Sequence, residues 1–260
     1  MHSHEGVSQS GNFVCAKCDT RGLKWCTGNM QQGKGEPEVC LEEKRESMEK
    51  RTIKIAAKSN KKINLKVIPG HFATSQSHIN YYLDMTSVKV RHTEAREVAK
   101  ELVKKYSTSK VVDAIICMDG CEVIGAYLAD ELTNAGIMSM NSHHCVNVVT
   151  PEIRSDGQMI LRDNLQSMVM DKHVVILLAI ITTGKTIKRC IEGIRYYGGV
   201  IEGIDAIFSN IDKVENTEIH SLFGKEDISD YQTYAYADCP YCKSQRKLDA
   251  MVNGYGYSRI

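Results

Sequence analysis

The sequence predicts an α/β domain built on a parallel sheet flanked by helices. Short apolar runs alternate with amphipathic stretches over residues 51–231. The runs at 111–118 and 174–179 are apolar almost throughout, the pattern of strands covered on both faces. Gly and Asp-Gly punctuation separates the elements, as βαβ units require.

Taken in order, Ile63, Leu65 and Val67 alternate with polar neighbours up to Pro69-Gly70, a half-buried strand. Residues 93–106 place Ala95, Val98, Ala99, Leu102, Val103 and Tyr106 on one helical face. The strand at 111–118 leads through Asp119-Gly120-Cys121-Glu122 into a helix over 123–135, closed by Gly136. Residues 145–150 read as a strand and 151–157 as a polar loop. After the buried strand at 174–179, Ile187, Cys190, Ile191 and Ile194 mark a helix that ends at Gly198-Gly199. A last strand follows at 200–208. In such sheets ligands sit at the carboxyl ends of the strands, which singles out the loops at 119–122 and 181–186.

Composition divides the chain into three parts: a Cys-rich N-terminal segment at 1–50, the α/β domain at 51–231 and a Tyr-rich tail at 232–260 with a second Cys pair. The 42% hydrophobic and 25% charged content is that of a globular protein. A net charge of +1 makes neither nucleic acid nor an anionic membrane the expected partner. Lys58, Lys61, Lys62 and Lys66 read as a solvated strand edge. No apolar run reaches the roughly 20 residues of a membrane span, and the polar start carries no apolar signal core, so the expectation is a cytoplasmic protein. Its ten cysteines would then serve metal or redox chemistry before disulfides.

The apolar run ending at Ile181 passes directly into Thr182-Thr183-Gly184-Lys185-Thr186 and a helix. Backbone N–H groups of such a turn, with the positive end of the helix, point at one anion. The three threonines add hydroxyl donors, and Gly184 admits close approach of the backbone. Two simpler assignments stand beside phosphate binding: a helix cap made by Thr182 and Thr183, and a nucleotide-binding P-loop starting at Ala179. The latter needs glycines inside its turn, where this chain has Ile180, Ile181, Thr182 and Thr183.

The strand and the Thr182–Thr186 loop resemble the signature of the type I phosphoribosyltransferases. The resemblance covers most of residues 63–208. Residues 72–84, ending in Tyr81-Tyr82-Leu83-Asp84, look like the early segment of orotate phosphoribosyltransferases. Val112-Asp113-Ala114-Ile115-Ile116 with Asp119-Gly120-Cys121-Glu122 occupies the place of the strand and pyrophosphate loop. The resemblance implies the type I fold, phosphoribosyl pyrophosphate or a nucleotide as ligand, Mg²⁺ if the chain is catalytic, and a homodimer. The family's acidic pair, which binds the ribose hydroxyls, falls on Leu178 and Ala179, which cannot accept hydrogen bonds. The mobile catalytic loop falls near 151–157, with Arg154 but no Lys. The catalytic candidates are therefore Asp119, Glu122 and Arg154, with Asp84 as a further metal–pyrophosphate ligand. An orotate-type transferase with weakened equipment and a non-catalytic nucleotide-sensing regulator both follow from the resemblance.

Cys15-Ala-Lys-Cys18 and Cys239-Pro-Tyr-Cys242 are C-x-x-C knuckles, a spacing that lets two thiolates grip one tetrahedral Zn²⁺. The four can share a structural zinc. Cys26 and Cys40 offer a local alternative with Cys15 and Cys18, and a redox knuckle is a third assignment. Cys117, Cys121, Cys145 and Cys190 read as small buried apolar residues. His143-His144 reads as a solvated turn, and His71 and His78 flank the 72–84 segment.

Overall fold

Two six-stranded sheets organise the described residues, and their strands come from different parts of the chain. The computed structural model describes residues 48–106, 110–134, 140–142 and 144–260. The expectations for 1–47, including Cys15, Cys18, Cys26 and Cys40, and those for Gly136 and His143 lie outside the described residues. All described residues belong to one unit, Glu46–Ile260.

The mostly parallel sheet is the predicted one. β4 (Ala114–Cys117), β5 (Asn147–Val149), β8 (His173–Ile181), β9 (Val200–Ser209), β10 (Lys213–Val214) and β11 (Thr217–Gly224) lie in the order β10-β11-β9-β8-β4-β5. All neighbours are parallel except β10 and β11. Along β8 the side chains alternate: Val175, Leu177 and Ala179 enter one buried cluster, while Val174, Ile176 and Leu178 enter the other. α2 (His92–Leu102) and α3 (Glu122–Thr133) cover the first face, and α5 (Lys185–Tyr196) covers the second through Ile187, Cys190, Ile191 and Ile194.

The second sheet joins an early segment to the tail. β1 (Ile53–Ala56), β2 (Asn64–Ala73), β3 (His78–Asp84), β12 (Thr233–Tyr234), β13 (Ala250–Asn253) and β14 (Gly256–Arg259) form it, in the order β12-β3-β2-β13-β14 with β1 also on β2. β2 and β3 make an antiparallel hairpin, and β13 lies parallel to β2 with Ala250 opposite Phe72. β2 continues past Pro69-Gly70 to Ala73 because the register shifts between Pro69 and Phe72, so the missing proline N–H breaks no ladder. Segment 232–260, read from sequence as a tail, thus supplies three strands. The remaining elements are α1 (Thr86–Val90), α4 (Asp163–Gln166), the short α6 (Pro240–Lys243) and the hairpin β6 (Glu152–Ile153) with β7 (Met159–Ile160).

Two further boundaries differ from expectation for local reasons. The 111–118 run is a strand only from Ala114, because Val112 N–H donates to the buried Asn141 side chain at 2.7 Å. Residues 151–157 are not wholly loop: Gly157, at φ 83°, turns the chain so that β6 meets β7. Among the described residues no helix is long and apolar enough to cross a membrane.

Candidate functional site

β4 and β8 are neighbours, with Cys117 opposite Leu177, so the loops that leave their carboxyl ends lie side by side. At the end of β8, Gly184 caps α5 with φ 75°, a conformation that favours glycine. A Cβ there would stand 2.9 Å from Ile211 Cδ1 and 3.3 Å from Val214 Cγ2. The crowding comes from the protein beneath the loop rather than from the side open to ligand. Thr182, Thr183, Lys185 and Thr186 line a cavity of about 490 Å³. The twelve-residue α5 starts at that wall, and none of its first-turn side chains is acidic.

Asp119 lines the same cavity from the end of β4. It and Gly120 have φ 56° and 79°, an unusual pair that brings the chain round sharply. The buried Lys89 ammonium donates to the Asp119 carbonyl at 2.7 Å and also to the Gly254 carbonyl. It thereby joins the loop to the turn between β13 and β14. Burial pushes the Asp119 carboxyl above the ordinary range, with Lys89 opposing the shift and Glu122 adding to it.

The other candidates are placed elsewhere. Glu122 is exposed and accepts a hydrogen bond from Thr150 Oγ1 at 3.3 Å. Asp84 accepts from the Thr86 N–H at 3.0 Å and lies in an adjoining groove with Lys66 and Tyr257. Arg154 lines a separate groove with Asp156, Arg189 and Tyr196. Cys121 is fully buried and its thiol is pushed well up, chiefly by desolvation, which keeps it from acting as a thiolate. Of the Leu178–Ala179 pair, only Ala179 faces the cavity; Leu178 points into the opposite cluster.

The second sheet closes the cavity. The 74–77 turn joins β2 to β3 and is fixed by Thr74 Oγ1, which accepts from the Ser77 N–H at 3.0 Å. With Tyr234, Ala235, Asn253 and Tyr255 it forms the wall opposite the phosphate loop. Sequence reasoning missed this wall and Lys89. The Asn253-Gly254 pair between Val252 and Tyr257 was the signal for a hairpin.

Beside this wall His71, His78, Cys239 and Cys242 gather their donor atoms within 4.8 Å of one another, a group that could hold a metal ion. Two of these were expected as ligands. His71 and His78 were not, and their signal was the polar Thr74-Ser75-Gln76-Ser77 turn between them, which folds both onto one hairpin.

The sequence matches no family model. It is 27% identical over 187 residues to the orotate phosphoribosyltransferase of Chlorobium phaeobacteroides, covering 71% of this chain and 88% of that protein. It is also 27% identical over 184 residues to the orotate phosphoribosyltransferase of Pelotomaculum thermopropionicum, covering 68% and 85%. Among solved structures, the Mycobacterium tuberculosis orotate phosphoribosyltransferase in complex with Fe(III) dicitrate aligns at 14% identity with a TM-score of 0.45, over 63% of this chain and 92% of that one. The Leishmania donovani UMP synthase aligns at 18% identity with a TM-score of 0.46, over 69% of this chain and 36% of that one.

Proposed function

We infer that this chain, which resembles the type I phosphoribosyltransferases and among them proteins named orotate phosphoribosyltransferase, binds phosphoribosyl pyrophosphate or a nucleotide in the cavity between its two sheets. One observation carries the reading: the Thr182–Thr186 loop and Asp119 leave adjacent parallel strands and line a single cavity of about 490 Å³. That volume lies within the roughly 300–1,000 Å³ usual for small-ligand sites. The 5-phosphate is received by the start of α5 and the hydroxyls of Thr182, Thr183 and Thr186, while Gly184 shapes the turn. Pyrophosphate would meet the 119–122 loop (Asp119, Gly120, Cys121 and Glu122) at Asp119, the one of the four that lines the cavity. Mg²⁺ bound with phosphates is held through one or two protein carboxylates, and Asp119 would supply one here. The exposed Tyr255 and the half-buried Tyr234, which both line the cavity, offer flat surfaces for a base. A homodimer and a structural zinc complete the reading.

Transfer of the phosphoribosyl group needs charge stabilisation on both the sugar and the leaving pyrophosphate. Aliphatic side chains at 178 and 179 remove it on the sugar side, and Arg154 lies on another groove. These placements favour a binder with slow or absent turnover, a nucleotide-sensing role, over an efficient transferase. Pyrophosphate release from phosphoribosyl pyrophosphate and orotate separates the two, and brisk release by the wild type would reject the binder.

Calorimetric titration of phosphoribosyl pyrophosphate, orotidine monophosphate and ATP tests the site itself. Thr186→Ala removes a donor to a charged group, worth roughly 1.5–3 kcal/mol, so affinity should fall about ten- to hundredfold. Lys185→Ala should cost less. Tight ATP binding that collapses in Lys185→Ala would establish a P-loop instead. Failure to bind any of the three ligands would remove the site.

A further inference from the structure

The geometry points to a tetrahedral zinc site made by His71, His78, Cys239 and Cys242. His71 Nε2 lies 3.1 Å from His78 Nδ1 and 3.4 Å from Cys239 Sγ. Cys242 Sγ lies 3.7 Å from His71 Nε2 and 3.2 Å from His78 Nδ1. A tetrahedron with Zn–N of about 2.0–2.1 Å and Zn–S of about 2.3 Å has N–N edges near 3.3 Å and N–S edges near 3.5 Å. All four distances fall close to those edges.

Hydrogen bonding among the four groups does not account for the arrangement. His71 Nε2 faces three donor atoms at once, more than one ring nitrogen can engage. One cation at the centre engages all of them. His71 is also oriented as a ligand: its Nδ1 is 2.9 Å from the Arg246 carbonyl, so Nδ1–H donates there and the Nε2 lone pair faces inward. Tyr241 and Tyr236 pack on the two imidazoles, with ring centroids 5.3 Å and 5.0 Å away. Cys239 and Cys242 bracket the first turn of α6, where the Lys243 N–H donates to the Cys239 carbonyl at 3.1 Å. Two thiolates with two imidazoles select zinc over the oxygen-seeking Mg²⁺ and Ca²⁺.

The position gives the metal a task. His71 and His78 stand on either side of the 74–77 turn, and Cys239 follows Tyr234 and Ala235 closely in sequence; both segments line the cavity. Tyr236 Oη donates to the Thr74 carbonyl at 2.8 Å, so the two segments already touch. Zinc would fasten them into one wall, whatever ligand the cavity takes.

The test is elemental analysis of the full chain purified without chelator. His71→Gln and Cys239→Ser should each lower zinc content by about one per chain, while joint replacement of Cys15, Cys18, Cys26 and Cys40 by Ser should leave about one. In that background Co²⁺ should give the visible spectrum of a tetrahedral two-thiolate site. Chelator should lower the wild-type Tm but not that of His71→Gln. Zinc content unchanged by His71→Gln, or zinc that vanishes with the four N-terminal cysteines while the His71 and Cys239 variants keep theirs, overturns the assignment. So does a metal-free wild type, including one in which Cys239 and Cys242 are oxidised to a disulfide.

Discussion

Asp205 lies within β9 with its carboxylate wholly enclosed. Tyr106 Oη donates to its Oδ1 at 2.9 Å, and His220 Nδ1 lies 3.2 Å from the same oxygen. Oδ2 has no hydrogen-bond partner. Desolvation therefore outweighs the help from His220, Tyr106 and Lys105, and its pKa is raised. A carboxyl that holds its proton more tightly when folded stabilises the protein fully below the ordinary Asp range. That contribution is lost as pH rises through the raised value. Asp205→Asn keeps an acceptor for Tyr106 and removes the buried charge. Its Tm should fall less between mildly acid and neutral pH than that of the wild type, and should be higher at pH 7. Thermal melts across that range that run parallel for the two proteins would show that Asp205 does not titrate in this way. No sequence pattern marked Asp205, since an acidic residue in a run such as 200–208 looks like any exposed strand position until Tyr106 is seen opposite.

At the scale of the element, β8 explains which half of the missing acidic pair can be restored. Leu178 is enclosed in the cluster under α5, whereas Ala179 reaches the cavity. Leu178→Asp should cost about 3–5 kcal/mol or unfold the chain, because its carboxylate would be buried without a partner. Ala179→Asp, whose carboxylate would face the cavity, should cost less than Leu178→Asp and raise pyrophosphate release if either substitution does. Urea melts beside the release assay check both, and equal destabilisation by the two would contradict the alternation. Burial on both faces is also why β8 was legible: a short, β-branched apolar run bounded by turn residues suits a covered strand better than a helix. Strand ends were less legible because partners distant in sequence decide them. Asn141 fixes the start of β4, and the Asp113 carboxylate accepts the His173 N–H at 2.8 Å where β8 begins. The phosphate loop was readable because strand, small polar turn and helix are consecutive. The metal group was half readable, since only the C-x-x-C spacing is local.

Across the whole molecule, the second sheet is tied together by a few contacts between residues far apart in sequence. Arg51 Nη2 donates to Asp249 Oδ1 at 2.9 Å, and Asp249 Oδ2 accepts the His71 N–H at 2.9 Å. Burial works against the Asp249 carboxylate, but Arg51 and these hydrogen bonds prevail and hold its pKa below the ordinary value. Its contribution is present above the ordinary Asp range and lost as pH falls through the depressed value. Asp249→Asn should therefore destabilise at neutral pH by about 1.5–3 kcal/mol, with the difference from wild type shrinking in strong acid. Chemical denaturation at both pH values reads this directly, and a constant difference would assign the loss to packing alone. The interleaving of β2 with β13 has a further consequence for how a cell makes this protein. Residues 110–224 emerge from the ribosome with every strand of the parallel sheet. The strand that pairs with Phe72 and Ala73 of β2, however, begins only at Ala250. The nascent chain must therefore carry that end of β2 with one edge unpaired until well after the whole parallel sheet has been made, which makes the edge the place where a chaperone would be needed.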